Sequence, residues 1–346
     1  MTTASKSDDQ VKTYEAKRFS VNDVLSLKRN FRMGSTGRQP VISVVIPAKD
    51  CGEFIGNIVS TIRGDLTDKA GLIDEIIVVN HNSTDDTARQ AELAGARVVD
   101  FDSVMTDCTT GGKGSVMRKG VWAANGDIVV FVDGDHKRFD SFKVVNLVAP
   151  LLMPDSGVIF TKGYYAGYGG GRSTETIGRA TISMFDPELA AIQQPFSGEQ
   201  ATFRSVFADI SVPEGWYIEL SLLHQVKKRF GAHAIGQVDL EYKDHEHGET
   251  SHITRQVHEI FVNRLAEAMT EAGLEMPKEW STTLSVPGEN LGEVSEREPL
   301  MEFFSALSCL DGWKKREAQR RQEIANSKQS VLGRLMIDVR RILIKD

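Results

Sequence analysis

Asp127-Ile128-Val129-Val130-Phe131-Val132-Asp133-Gly134-Asp135 is the stretch on which the reading of this chain turns. Its apolar run, mostly β-branched, describes a strand buried on both faces, as in a parallel sheet covered by helices. The run passes directly into two carboxylates separated by one glycine. In open α/β sheets ligands bind beyond the carboxyl ends of the strands. Alternation along the chain places Asp133 and Asp135 on one side, where both can face one hard cation. Mg²⁺ or Mn²⁺ prefers oxygen ligands and shares them with substrate phosphates. The plainer alternative is an acidic turn after a strand, and only the surrounding architecture separates the two.

That architecture extends upstream. Val41-Ile42-Ser43-Val44-Val45-Ile46-Pro47 is a second buried strand, and Gly52 to Gly64 carries Phe54, Ile55, Ile58, Val59 and Ile62 on one helical face. Glu75 to Asn80 is a strand. Ser83-Thr84-Asp85-Asp86 opens a helix through Leu93, with oxygens placed for its unpaired amides. Ala96 to Val99 is a short strand and Gly114 to Asn125 a helix. This alternation predicts an α/β fold with a mostly parallel central sheet. Gly157 to Lys162 and Ile235 to Tyr242 read as later strands, with an antiparallel member expected among them.

Three regions are expected: an N-terminal extension over 1–40, the α/β domain over 41–248, and a helical C-terminal region over 249–346. The extension is polar, with a short apolar patch (Val21, Val24, Leu25, Leu27) able to form a helix. Beyond it, Ile253 to Met269 and Pro299 to Leu310 read as helices. Trp313 to Lys345 is basic with spaced apolar residues, which suits a helix against the body or a second subunit; contact with a membrane surface is the sharper alternative. Acidic residues outnumber basic ones, 48 to 41, for a net charge of -7, which argues against general affinity for nucleic acid. Cys51, Cys108 and Cys309 are scattered and odd in number, reading as reduced thiols. The first residues lack a signal-type apolar core, and no apolar run approaches the ~18 residues of a membrane span. A cytoplasmic protein is expected.

Three further clusters carry chemistry. Thr109-Thr110-Gly111-Gly112-Lys113-Gly114-Ser115 opens a helix, so flexible backbone, helix amides and Lys113 can all meet a phosphate. It is not a P-loop, because Gly114 separates the lysine from the serine. Gly169-Gly170-Gly171-Arg172-Ser173-Thr174-Glu175 places a guanidinium beside free amides and hydroxyls, suiting a phosphate or carboxylate. Tyr242-Lys243-Asp244-His245-Glu246-His247 follows a strand. It lacks the ligand spacing of a closed zinc site, so one histidine completing the coordination begun by the aspartates is the better reading. The first strand–helix junction, Pro47-Ala48-Lys49-Asp50-Cys51-Gly52, has no GxGxxG, against a nicotinamide dehydrogenase.

Taken in order, these motifs resemble glycosyltransferases of the GT-A fold. More narrowly, the chain is similar to the glucosyl-3-phosphoglycerate synthases. The match rests on SVVIPAKD from Ser43, STDDT from Ser83, GARVV from Gly95, GGKG from Gly111, GDIVVFVDGD from Gly126, GGGRSTE from Gly169, QQPFSGEQA from Gln193, QVDLEYKDH ending at His245 and TRQV from Thr254. It spans about Val41 to Val257. The resemblance implies transfer of glucose from UDP-glucose to 3-phosphoglycerate with retention of configuration, Mg²⁺ or Mn²⁺ as cofactor, and a homodimer. It also implies that Pro47 and Ala48 line the uracil pocket, with Ser83 and Lys113 on the nucleotide and Asp133 on the ribose or the metal shell. Asp135 and His245 would ligate the metal. Gly171, Arg172 and Thr174 would hold the acceptor's phosphate, with Trp216, Lys243 and His247 on the acceptor side. Glu219 would contact the glucose, with Glu199 near it. Lys49-Asp50-Cys51, Trp216 in place of Tyr, Lys243 of Arg and His247 of Asn depart from the family pattern, and a lysine lacks the planar fork of an arginine. Another donor (GDP-mannose or GDP-glucose), another acceptor (glycerate or a lipid), and a non-catalytic sugar-nucleotide sensor are the alternatives. A nucleotidyltransferase would need a glycine-rich basic loop after the first strand, which PAKDCGE is not.

Overall fold

The computed structural model describes residues 9–15, 19–33, 37–106, 111–166, 171–242 and 250–277. In chain order the elements are β1 (Lys12–Tyr14), α1 (Val21–Asn30), β2 (Ile42–Ala48), α2 (Gly52–Ile62), β3 (Glu75–Asn80), α3 (Thr87–Ala94), β4 (Arg97–Asp100) and α4 (Lys113–Ala123). There follow β5 (Ile128–Phe131), α5 (Phe142–Leu152), β6 (Phe160–Tyr164), α6 (Arg179–Phe185), β7 (Gln200–Phe203), α7 (Arg204–Asp209), α8 (Ile218–Phe230), β8 (Ile235–Asp239) and α9 (Thr250–Glu271). The strands form one sheet in the order β1-β8-β6-β7-β5-β2-β3-β4.

Parallel pairing joins β2, β3, β4 and β5, and separately β1, β8 and β6. Only β7 runs the other way, between β5 and β6. The reversed strand is therefore neither of the two late strands expected to contain it. It is Gln200-Ala201-Thr202-Phe203, too short and too polar to show a period. The sheet is mostly parallel, as expected. Strands β2 and β5 are buried almost throughout, and Ile55, Ile58, Val59 and Ile62 of α2 are buried as the helical period requires.

Residues read as an extension are stitched into this body. β1 adds to the edge at β8. A Ser20–Asp23 capping box starts α1, and its buried Lys28 donates to the Leu72 carbonyl and pairs with Asp74, both at 2.7 Å. Arg38 forks onto both carboxylate oxygens of Asp127, at 2.6 and 2.7 Å, beside the start of β5. At the other end, α9 covers the span expected to be helical. Pro299–Leu310 and the basic stretch after it lie outside the described residues.

Candidate active site

The carboxyl ends of β2, β3 and β5 and the first turn of α4 converge on one spot. Lys113 opens α4, and its Nζ lies 3.1 Å from Asp133 Oδ1 and 2.8 Å from Glu219 Oε1, in the first turn of α8. Glycine makes this approach possible: a Cβ on Gly114 would fall 1.8 Å from the Pro213 carbonyl oxygen. With no side chain there, Ser115 N donates to Glu214 O at 3.0 Å, drawing the loop before α8 against the start of α4. Burial disfavours the Lys113 ammonium, but Asp133 and Glu219 outweigh it and raise its affinity for the proton.

Asp133 also meets the Ser197-Gly198-Glu199 loop. A Cβ on Gly198 would sit 2.0 Å from Asp133 Oδ1, so only glycine admits this contact. Glu199 itself is fully buried: Oε1 lies 2.7 Å from His136 Nε2, and Oε2 accepts from Ser197 Oγ at 2.7 Å. Asp135, by contrast, is exposed. Burial pushes the Cys51 thiol up to about 11, with Asp135, Asp85 and Asp133 adding to it. That thiol is a protonated filler, and the Asp133-Gly134-Asp135 turn packs beside it: a Cβ on Gly134 would lie 3.5 Å from Cys51 Sγ and 3.2 Å from the Pro47 carbonyl oxygen. Two carboxylates in the turn beyond a buried strand, one of them open to solvent, are a fitting oxygen donor set for Mg²⁺ or Mn²⁺.

The neighbouring junctions are laced together. Ser83 Oγ accepts from Asp50 N at 3.0 Å, Asp50 Oδ1 accepts from Thr84 N at 2.7 Å, and Asp85 Oδ2 accepts from Gly52 N at 2.8 Å. Asp86 makes no side-chain cap at α3; Asp85 instead accepts from Thr87 N at 3.0 Å. Pro47 and Ala48, at the end of β2, stand beside this lattice, with the His81 ring, just after β3, tilted against Phe101 at 4.6 Å between centres.

On the other flank, Gly171 holds a left-handed φ of 78°, Arg172 is exposed and Thr174 is buried. Ser173 Oγ donates to Gln256 Oε1 of α9 at 2.8 Å. Helix α9 also supplies Glu259, whose Oε1 accepts from Trp216 N at 2.6 Å, and the Trp216 ring centre lies 5.6 Å from Lys113 Nζ. Trp216 thus stands between the lysine and α9. Lys243, His245 and His247 lie outside the described residues.

Sequence reasoning missed two buried polar residues of the floor, His136 and Lys162. Lys162 is fully buried on β6 and donates to Gln200 Oε1 at 3.0 Å. A lysine inside a buried strand was the available signal. His136 gave none, since its partner Glu199 is 63 positions away.

A second cluster resembles a metal site in composition alone. Ligand atoms of His224, Glu267 and Glu271 lie within 4.8 Å of one another. Their charge is already balanced: Lys228 pairs with Glu271, Arg264 lies 3.7 Å from Glu271, and Tyr217 Oη donates to Glu267.

A sheet of this order with a carboxylate pair beyond β5 is the GT-A fold of glycosyltransferases, and the family description "Glycosyl transferase family 2" matches residues 43–209. A curated glucosyl-3-phosphoglycerate synthase from Mycolicibacterium smegmatis is 34% identical over 247 residues, 67% of this chain and 80% of that protein. Another from Petrotoga mobilis is 30% identical over 75% of this chain and 86% of its own length. Among solved structures, glucosyl-3-phosphoglycerate synthase from Mycobacterium tuberculosis with Mn²⁺, UDP-glucose and phosphoglyceric acid aligns at TM-score 0.67 and 30% identity, covering 77% of this chain and 89% of that one. Mannosyl-3-phosphoglycerate synthase from Rubrobacter xylanophilus aligns at TM-score 0.70 and 29% identity, covering 80% and 85%. The chain belongs to the glucosyl-3-phosphoglycerate synthase family.

Proposed function

We propose that this chain transfers glucose from UDP-glucose to 3-phosphoglycerate with retention of configuration. The observation that carries the reading is Lys113, held between Asp133 and Glu219 beside the exposed Asp135 at the end of a buried parallel strand. Pro47, Ala48 and Ser83 form the uracil side, and Lys113 turns to the diphosphate. Asp133 and Asp135, with His245, hold Mg²⁺ or Mn²⁺, which supplies Lewis-acid stabilisation of the leaving diphosphate. Gly171, Arg172 and Thr174 hold the acceptor's phosphate, with Trp216, Lys243 and His247 around its remainder, so that its hydroxyl is oriented toward the anomeric carbon.

Retention by front-face attack is favoured over a covalent intermediate. Glu199 is locked between His136 and Ser197, so it offers no free nucleophilic carboxylate. The catalytic unit is the α/β domain of 41–248, to whose sheet β1 adds an edge strand, with the helical region after it, and it acts as a homodimer in the cytoplasm. The mannosyl-3-phosphoglycerate synthase neighbour keeps GDP-mannose as the second donor to test. Mass spectrometry of products from UDP-glucose, GDP-glucose and GDP-mannose, each with Mg²⁺ and with or without 3-phosphoglycerate, decides the matter. The expected product is glucosyl-3-phosphoglycerate from UDP-glucose; a hexosyl product only from a GDP-sugar would overturn the donor.

A further inference from the structure

We infer that Gln256 and Glu259 of α9 are positioning residues for the acceptor: together they set the gap between the loop that holds its phosphate and the loop that carries Trp216. The inference rests on the assignment of Gly171, Arg172 and Thr174 to that phosphate.

Gln256 and Glu259 are three positions apart on α9, so their side chains leave one face of the helix about 4.5 Å apart along its axis. Each reaches a different wall. Gln256 Oε1 accepts from Ser173 Oγ at 2.8 Å, between Arg172 and Thr174. That segment is already coiled, with Glu175 N donating to Gly171 O at 3.0 Å and Thr176 Oγ1 to Arg172 O at 2.7 Å. Glu259 Oε1 accepts from Trp216 N at 2.6 Å, and a Cβ on Gly215 would fall 1.8 Å from the same oxygen. Only glycine leaves room for the carboxylate there. The other side of this loop meets the start of α4, where Ser115 N donates to Glu214 O at 3.0 Å and a Cβ on Gly112 would fall 2.4 Å from that oxygen. The loop is therefore clamped between α9 and the helix that opens with Lys113, and the Trp216 ring centre is kept 5.6 Å from Lys113 Nζ.

Later turns of α9 account for its attachment to the body. Ile260 is fully buried, Arg264 Nε lies 2.8 Å from Asp186 Oδ2, Glu267 accepts from Tyr217 Oη, and Glu271 lies 3.0 Å from His224. Gln256 and Glu259 stand before these contacts, and their partners are the two loops. A rod fixed at one end and bonded to both walls sets the width of the acceptor site and its distance from the donor's lysine. Small displacements of a reacting hydroxyl are heavily penalised in rate, so that spacing matters to the transfer itself.

The test is initial-rate kinetics against 3-phosphoglycerate at saturating UDP-glucose, beside calorimetric titration of UDP with Mg²⁺. Gln256→Ala and Glu259→Ala should each raise the apparent KM for 3-phosphoglycerate about fivefold. UDP affinity should stay within about twofold of the wild type, since neither side chain reaches the nucleotide. Glu259→Gln keeps an oxygen for the Trp216 amide and should bring the acceptor KM back to within about twofold of the wild type. A lowered melting temperature with an unmoved acceptor KM would show a merely structural role and overturn the proposal. Equal losses in UDP affinity, or a KM in Glu259→Gln as high as in Glu259→Ala, would overturn it too. Should Glu259→Ala fail to fold, Gln256→Ala carries the same comparison. Failure of the wild-type protein to transfer glucose to 3-phosphoglycerate would instead overturn the proposed function, and this inference with it.

Discussion

Two buried clusters of charge share helix α8, one at its first turn and one along its later turns, and they follow opposite rules. In the second cluster each carboxylate is heavily paired. Asp186 receives Arg264 Nε at 2.8 Å, Lys227 Nζ at 3.1 Å and the His224 ring, whose other nitrogen lies 3.0 Å from Glu271. Burial works against the Asp186 carboxylate, yet His224 and Arg264 hold it well below the usual range. In the first cluster Glu219 pairs directly with Lys113, Lys162 rests on a neutral amide, and Asp135 faces solvent. Burial of charge is common to both and marks neither as functional. The mark of the site is a lysine and carboxylates gathered beside an open face, which a metal and a diphosphate can enter. The paired cluster instead fastens α9, and with it Gln256 and Glu259, to the body.

Breaking the open cluster should produce the largest effect. Asp135→Ala is expected to reduce transfer about a thousandfold or more with an unchanged melting temperature, checked by initial rates beside thermal melts; substantial residual activity would remove the metal assignment. Arg264→Met should act in the opposite sense, costing about 3–5 kcal/mol in denaturant unfolding because Asp186 is left buried with fewer partners, while UDP affinity stays as in the wild type. Arg172→Ala should raise the apparent KM for 3-phosphoglycerate roughly tenfold and leave that for UDP-glucose nearly unaltered. Equal losses on both substrates would contradict the division into donor and acceptor flanks.

The smallest effect is one of pH. Burial opposes the His224 cation, but Asp186 outweighs it, so its pKa lies above the ordinary 6.5. A raised histidine contributes stability that is complete below that ordinary value and is lost as pH rises through the folded one. Asp186 has the reverse dependence: its contribution is present above the ordinary 3.8 and is lost only as pH falls toward its depressed value. The gap in melting temperature between wild type and His224→Gln should therefore hold steady from moderately acid pH to about 6.5 and then narrow, by on the order of a few degrees. A gap that widened with rising pH would reverse the assigned charge.

The donor half of the fold is legible because long buried strands leave a strong apolar signal. Ile42–Ala48 and Glu75–Asn80 run with scarcely a polar residue, and the Asp-Gly-Asp turn follows β5 directly. The other half is not. β1 and β7 have three and four residues respectively, and a strand that short is made by its neighbours rather than by its own pattern. Lys113, Asp133 and Glu219 could be chosen from the sequence as separate candidates, and the structure shows them in one contact. The roles of His136 and Lys162 depend on pairings across the sheet that no local pattern encodes. Glu199 could be chosen through the resemblance as a candidate, but its enclosure by His136 and Ser197 was not legible.

The claim that the open cluster receives the donor's diphosphate is tested most directly by titrating UDP and Mg²⁺ into the Lys113→Met variant. A loss of affinity of about tenfold or more is predicted, in line with removal of a charge-assisted contact to phosphate. Binding of UDP as tight as in the wild-type protein would contradict it.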